Sequence, residues 1–182
     1  IIFVILLMLV IFFFFTWYKI SHVYIISTVD GKAYKVKNNR LAQECADTLA
    51  VVNQRLLKLK AYVEGLNKKP EYVHRLSKYD PDTISENILN LDTTYTLNKR
   101  DMHFCLTPRN GDIYVYDINT LMFVAIHELA HVSSKSVGHT DEFKINFKDL
   151  IEHAIKLGVY EYIDYSKTPV DYCGVTIRNN IV

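Results

Sequence analysis
Residues 121–126, Leu-Met-Phe-Val-Ala-Ile, are apolar without exception and run directly into His127, Glu128 and His131. Six successive apolar positions leave a helix no polar face. The segment must therefore be buried on all sides, as a helix capped by Asn119 or Thr120 and starting near Leu121. Into that setting the sequence admits two imidazoles and a carboxylate. At about 100° per residue, His127 and His131 lie about 40° apart on one face and roughly 6 Å apart along the axis, so both can reach one ion. Glu128 sits beside both. A buried polar group without a partner costs roughly 1–3 kcal/mol. Metal coordination offsets that cost, whereas a bare polar strip would not. The HExxH pattern suits metal-assisted hydrolysis: zinc lowers the pKa of a bound water towards neutrality, and an adjacent carboxylate takes its proton. The expectation is one Zn2+ per chain, with His127 and His131 as ligands and Glu128 as general base.

A catalytic zinc usually takes three protein ligands and leaves a fourth position to water. His139 is the expected third. It follows Gly138, whose freedom in φ lets the chain turn back towards the metal, and the loop after His131 is long enough to leave the helix and return. A plain surface-loop histidine is the weaker reading. Glu152 lies about one helix downstream, but Phe143, Phe147, Leu150, Ile151, Ala154 and Leu157 form the apolar face of a helix ending near Gly158. Glu152 projects roughly 170–180° from the centre of that face, towards solvent. His153 falls at its margin and reads as structural. His22, His74 and His103 have no motif context.

The rest of the chain supplies the frame. The first eighteen residues carry no charge and are apolar except Thr16. As a helix they cover about 27 Å, near the thickness of a hydrocarbon core. Trp17, Tyr18 and Lys19 match an interfacial flank, so residues 1–18 read as a transmembrane anchor in contact with a lipid bilayer. Lys19, Lys32, Lys35, Lys37 and Arg40 favour a cytosolic placement of the domain beyond the anchor, on a viral internal or host endomembrane. Cys45, Cys105 and Cys173 are an odd, scattered set, read as buried thiols in a reducing compartment. Two β-prone runs joined by Asp30-Gly31 form a hairpin within residues 19–38. From 39 to 66, Cys45, Leu49, Val52, Leu56, Leu59, Val63 and Leu66 make one helical stripe: packed on the core in the plainer reading, a homo- or hetero-oligomeric coiled-coil seam in the sharper. Residues 68–90 read as short helices and connection. Strands are expected at 93–97, 102–106 and, after a turn from Pro108 to Gly111, at 113–116. Lys and Arg total 21 against 20 Asp and Glu, a net charge of +1, so no basic field draws in nucleic acid.

The run 119–131, with Gly138-His139-Thr140-Asp141-Glu142-Phe143 after it, resembles the WLM and SprT-like zinc metalloproteases. Asn146-Phe147-Lys148 and the ending Pro169-Val170-Asp171-Tyr172-Cys173-Gly174 resemble membrane-anchored WLM-like proteins of large double-stranded DNA viruses of eukaryotes. The resemblance covers roughly 93–177. It implies an α+β, zincin-like domain over 39–182, with a small mixed sheet whose edge strand lies along the substrate cleft above the active-site helix. By that likeness His127, His131 and His139 are ligands and Glu128 is the base. Lys144 departs from the aromatic residue usual after the Glu-Phe pair. Metzincins fit worse, because Ser134 stands in place of their glycine and no methionine follows to make their Met-turn.

The expected activity is hydrolysis of peptide bonds in a protein or peptide substrate near a membrane. Residues 113–116 are expected as the edge strand that a substrate extends. Tyr160, Tyr162, Tyr165 and Tyr172 are candidates for oxyanion stabilisation, none favoured over packing. Cys173 reads as a small buried hydrophobe. The alternative is a membrane-tethered virion component with a structural or inactive zinc site. A DNA–protein crosslink protease, as among soluble relatives, sits badly with the neutral charge.

Overall fold
The computed structural model describes residues 2–88, 93–110 and 113–178, without the side chains of 15 and 17–20. The long apolar stripe decides the architecture. Helix α2 runs Ala42–Glu64, and Cys45, Leu49, Val52, Leu56, Leu59 and Val63 are each 0% exposed. Those residues are already covered by the chain's own core, so the face needed for a coiled-coil seam is occupied. Helices α3 (Ile118–Ser133) and α4 (Asp141–Leu157) pack on α2 and on each other.

Strands β1 (His22–Ile26) and β2 (Ala33–Lys37) form the expected antiparallel hairpin, with Val23 opposite Val36. Gly31 supplies the positive φ of its turn, 74°. Tyr34 and Val36 are buried in the core, so the hairpin is part of the packed body. The connection after α2 holds a 3-10 helix, Glu71–Lys78, and the two-residue strand β3 (Ser85–Glu86); its residues 89–90 lie outside the described residues. Strands β4 (Tyr95–Leu97) and β5 (Asp101–Phe104) come next. The sheet order is β3-β5-β4, with β3 parallel and β4 antiparallel to β5: a small mixed sheet with β4 on the outside. The buried carboxylate of Glu86 couples hairpin to sheet, accepting the Lys37 backbone N–H at 2.7 Å with the Lys37 ammonium 3.5 Å away. A last hairpin, β6 (Val170–Tyr172) and β7 (Val175–Ile177), completes an α+β chain.

The structure corrects three expectations. Helix α1 (Ile2–Ser21) occupies the apolar opening, but among the described residues no helix is long and apolar enough to cross a membrane. The transmembrane helix of the expected fold, and the single-pass placement with its bilayer contact, are therefore withdrawn. The interfacial reading of Trp17, Tyr18 and Lys19 rests on side chains outside those described. Second, Cys105 and Cys173 are not thiols: they form a disulfide, Cα atoms 6.4 Å apart, joining the end of β5 to the β6–β7 turn. Cys45 is free and buried. Third, residues 113–116 form no strand. Their β-prone sequence is overridden by packing: Tyr116 sets its ring 4.9 Å from that of Tyr172, its hydroxyl accepts the Cys173 N–H at 2.9 Å, and its own N–H donates to Leu106 O at 3.0 Å. Gly111, in the turn expected before it, lies outside the described residues.

Candidate metal centre
Helix α3 begins earlier than its apolar run suggests. Asp117, not Asn119 or Thr120, is the cap, its carboxylate accepting the Thr120 N–H at 2.9 Å and the Thr120 hydroxyl at 2.6 Å. Leu121, Met122, Ala125, Ile126, Leu129 and Ala130 are 0% exposed, as an apolar run without a polar face requires. The helix ends at Ser133, and the chain turns through Gly138 at φ 81°. That left-handed backbone is where glycine carries no Cβ penalty. Thr140 then caps α4, accepting the Phe143 N–H at 3.4 Å. One helix end, one turn and one helix start thus return the chain to the face it left.

The result is a cluster of three imidazoles. His127, His131 and His139 each offer a ring nitrogen, and these nitrogens all lie within 4.8 Å of one another. His127 Nε2 is 3.2 Å from His131 Nε2 and 3.0 Å from His139 Nε2. One imidazole nitrogen carries either one proton or one lone pair, so His127 Nε2 can make one good hydrogen bond to these neighbours but not two. Two nitrogens bound tetrahedrally to one zinc at 2.0–2.1 Å sit about 3.3 Å apart. The donor set therefore fits a cation better than it fits mutual hydrogen bonding. Burial, then the neighbouring imidazoles His131 and His139, push His127 down to about 3. Burial, then His139 and Lys99, push His131 down to about 4. Both rings are neutral at physiological pH, the form that binds metal.

Glu128 is 4% exposed. Burial pushes its carboxyl up to about 7, opposed by a hydrogen bond from the Thr96 hydroxyl to Oε2 at 2.6 Å. A carboxyl poised there can take or give a proton near neutral pH. Thr96 belongs to β4, so one edge strand of the mixed sheet reaches the helix at its catalytic candidate. Phe143, the first inward residue of α4, floors the cluster, its ring centroid 4.3 Å from His131, 4.8 Å from His139 and 4.9 Å from His127.

Glu152 is exposed, 3.9 Å from Lys148, and away from the cluster. His153 lies 3.6 Å from Asp149 and packs edge-on against Tyr62. Tyr160, Tyr165 and Tyr172 are buried packing residues, and Tyr162 is exposed. Tyr172 spends its hydroxyl on Cys105 O at 2.7 Å and on Thr94 at 2.6 Å. Sequence reasoning does not single out Thr96 or give Phe143 a place at the site. The Phe143 spacing after Gly138-His139 is a usable signal, since a residue three positions into a capped helix faces back over the capping turn. Nothing local marks Thr96.

No family model matches this sequence, and no solved structure matches it. An uncharacterized protein of invertebrate iridescent virus 6, 136R, is 42% identical over 69 residues, 37% of this chain and 39% of the relative. The uncharacterized protein 042R of invertebrate iridescent virus 3 is 47% identical over 68 residues, 37% of this chain and 42% of the relative. The uncharacterized protein R325 of Acanthamoeba polyphaga mimivirus is 33% identical over 166 residues, spanning 87% of this chain and 84% of the relative. Identity sustained over that length makes this chain a member of the same protein family as mimivirus R325.

Proposed function
We propose that the chain is a zinc-dependent peptidase of the WLM/SprT-like kind, with one Zn2+ held by His127, His131 and His139 and with Glu128 as general base. The observation that carries this reading is the convergence of three imidazoles, nitrogens within 4.8 Å of one another, beside a buried carboxyl. A zinc ion held there supplies Lewis-acid polarisation of a carbonyl and acidifies a water. Glu128 takes the proton from the attacking water and returns it to the leaving amine. The Thr96 hydroxyl holds Oε2 and so keeps the carboxylate in one orientation. The reading seats the substrate main chain along β4, the edge strand that reaches Glu128, in place of residues 113–116.

The test is Glu128→Gln in the full chain, against wild type, on an unstructured protein substrate such as casein. The variant keeps about one zinc per chain and the wild-type circular dichroism, and cleavage falls by at least about a hundredfold. Wild-type chain that carries zinc and cleaves no substrate, or a variant that cleaves as well as wild type, overturns the peptidase assignment.

A further inference from the structure
The third ligand stands on a loop, and a loop holds a ligand only as well as it is itself held. Residues 134–138 separate α3 from His139. Their main chain is gripped from two sides. On one side Glu142 takes the amides: Oε1 accepts the Lys135 N–H at 3.0 Å, and Oε2 accepts the Ser136 N–H at 3.0 Å and the Ser136 hydroxyl at 2.9 Å. Arg75, buried, ties this carboxylate at 3.2 Å to the end of α3 by also donating to Ser133 O. On the other side a single ammonium takes the carbonyls. Lys99 Nζ donates to Ser134 O, to Lys135 O at 2.9 Å and to Ser136 O at 2.7 Å. An ammonium has three N–H donors, and each has one of these consecutive carbonyls.

The position of Lys99 is itself unusual. It lies in the turn between β4 and β5, where Asn98 and Lys99 have φ of 53° and 54° and the Arg100 N–H donates to Leu97 O at 3.0 Å. Two successive left-handed residues favour Asn followed by Gly. Asn98 obeys that rule; Lys99 does not, and a residue with a Cβ is less favourable there than glycine. The turn alone gives no reason for a lysine, whereas the three carbonyls do.

We propose that Lys99 is a positioning residue for the third ligand, its ammonium clamping the carbonyls of residues 134–136 so that His139 is presented to the same point as His127 and His131. This rests on the metal reading above. Without the clamp the loop keeps only the Glu142 grip, and the rest of its ordering waits for metal and is taken from the affinity. Loss of such supporting contacts typically weakens metal binding about tenfold to a hundredfold.

The experiment compares full-length wild type with Lys99→Gly, Lys99→Met, Lys99→Arg and His139→Ala. It reads zinc affinity by competition with a chromophoric chelator, the visible spectrum of the Co2+ form, and thermal unfolding of the metal-free chain. Lys99→Gly gives the turn the residue its backbone favours, so metal-free unfolding stays within a few degrees of wild type. Its zinc affinity falls about tenfold or more, and its Co2+ spectrum moves towards that of His139→Ala. Lys99→Met, which keeps the stem and loses the donors, does the same, and Lys99→Arg recovers most of the affinity. Wild type that binds one zinc while Lys99→Gly and Lys99→Met bind it equally well, with the wild-type Co2+ spectrum, overturns the clamp alone. Lys99→Arg no better than Lys99→Gly overturns the assignment to the donated bonds. Wild type that takes up no zinc overturns the metal reading and the clamp with it.

Discussion
Helices α2 and α3 both run through the core, and both carry polar side chains into it, but they treat them differently. In α2 the buried polar residue is Asn53, 1% exposed. Its amide NH2 donates to Pro81 O at 2.9 Å and to the Tyr34 hydroxyl at 3.2 Å, and its carbonyl accepts from the Tyr79 hydroxyl at 2.6 Å. Every partner is a protein group, so the network is complete and serves the fold. In α3 the ring nitrogens of His127 and His131 face one another and His139. Burial costs both sets of groups, but the compensation is internal for Asn53 and not for the imidazoles of α3. A polar group satisfied within the chain is a structural device; on the reading proposed above, the converging imidazoles are matched to a metal ion.

The largest effect expected from this contrast is on stability with and without metal. A ligand at a hundred times its Kd that binds only the folded state adds about 2.7 kcal/mol. For a domain of this size that raises the unfolding temperature by about 5–10 °C. Zinc should produce such a rise in differential scanning fluorimetry, a chelator should reverse it, and His127→Ala should abolish the response. Unfolding that ignores both zinc and chelator would put the imidazole cluster on the same footing as Asn53 and dissolve the contrast.

The converse substitution is smaller. Asn53→Ala leaves the Tyr79 hydroxyl and Pro81 O without their partner and should cost about 1–3 kcal/mol, read as a lower urea midpoint. Zinc stoichiometry in the folded variant should stay at wild-type level. A folded Asn53→Ala chain that has lost zinc would mean that the α2 network also positions the site.

These two helices mark what is legible in the sequence and what is not. The stripe of α2 and the shared face of His127 and His131 follow from helical phase, a local property that spacing carries. His139 is legible because Gly138 announces the turn that brings it back. Asp117 is hidden as the cap because Asn119 and Thr120, equally good caps, lie nearer the apolar run. The other misses are all long-range. The parallel pairing of β3 with β5, the Cys105–Cys173 disulfide and the contacts of Thr96 and Lys99 with α3 and its loop join segments whose own patterns say nothing about one another. Residues 113–116 fail in the opposite way: their β propensity is real, but the partner of Tyr116 is the C-terminal hairpin.

The smallest effect sharpens the contrast by its dependence on pH. Glu142, beside the cluster, is held down to about 2, first by the Lys135 and Ser136 backbone N–H groups; burial opposes them, and the Ser136 hydroxyl and Arg75 add smaller lowering effects. An unfolded glutamate titrates near 4.3. Because the folded value is the lower, Glu142 contributes stability that is fully present above about pH 4.3 and is lost as pH falls towards 2. Its side chain is 32% exposed, so solvent screening reduces the contribution to about 1 kcal/mol. Glu142→Gln should therefore trail wild type by that amount in urea unfolding at pH 7 and converge with it near pH 2, provided that both are measured metal-free. Asn53→Ala has no proton to exchange, so its deficit should be the same at both ends of that range. A Glu142→Gln deficit that did not shrink with pH would make this carboxylate another neutral structural bond of the α2 kind, and the Lys99 ammonium would then be the charge that holds the loop carrying His139.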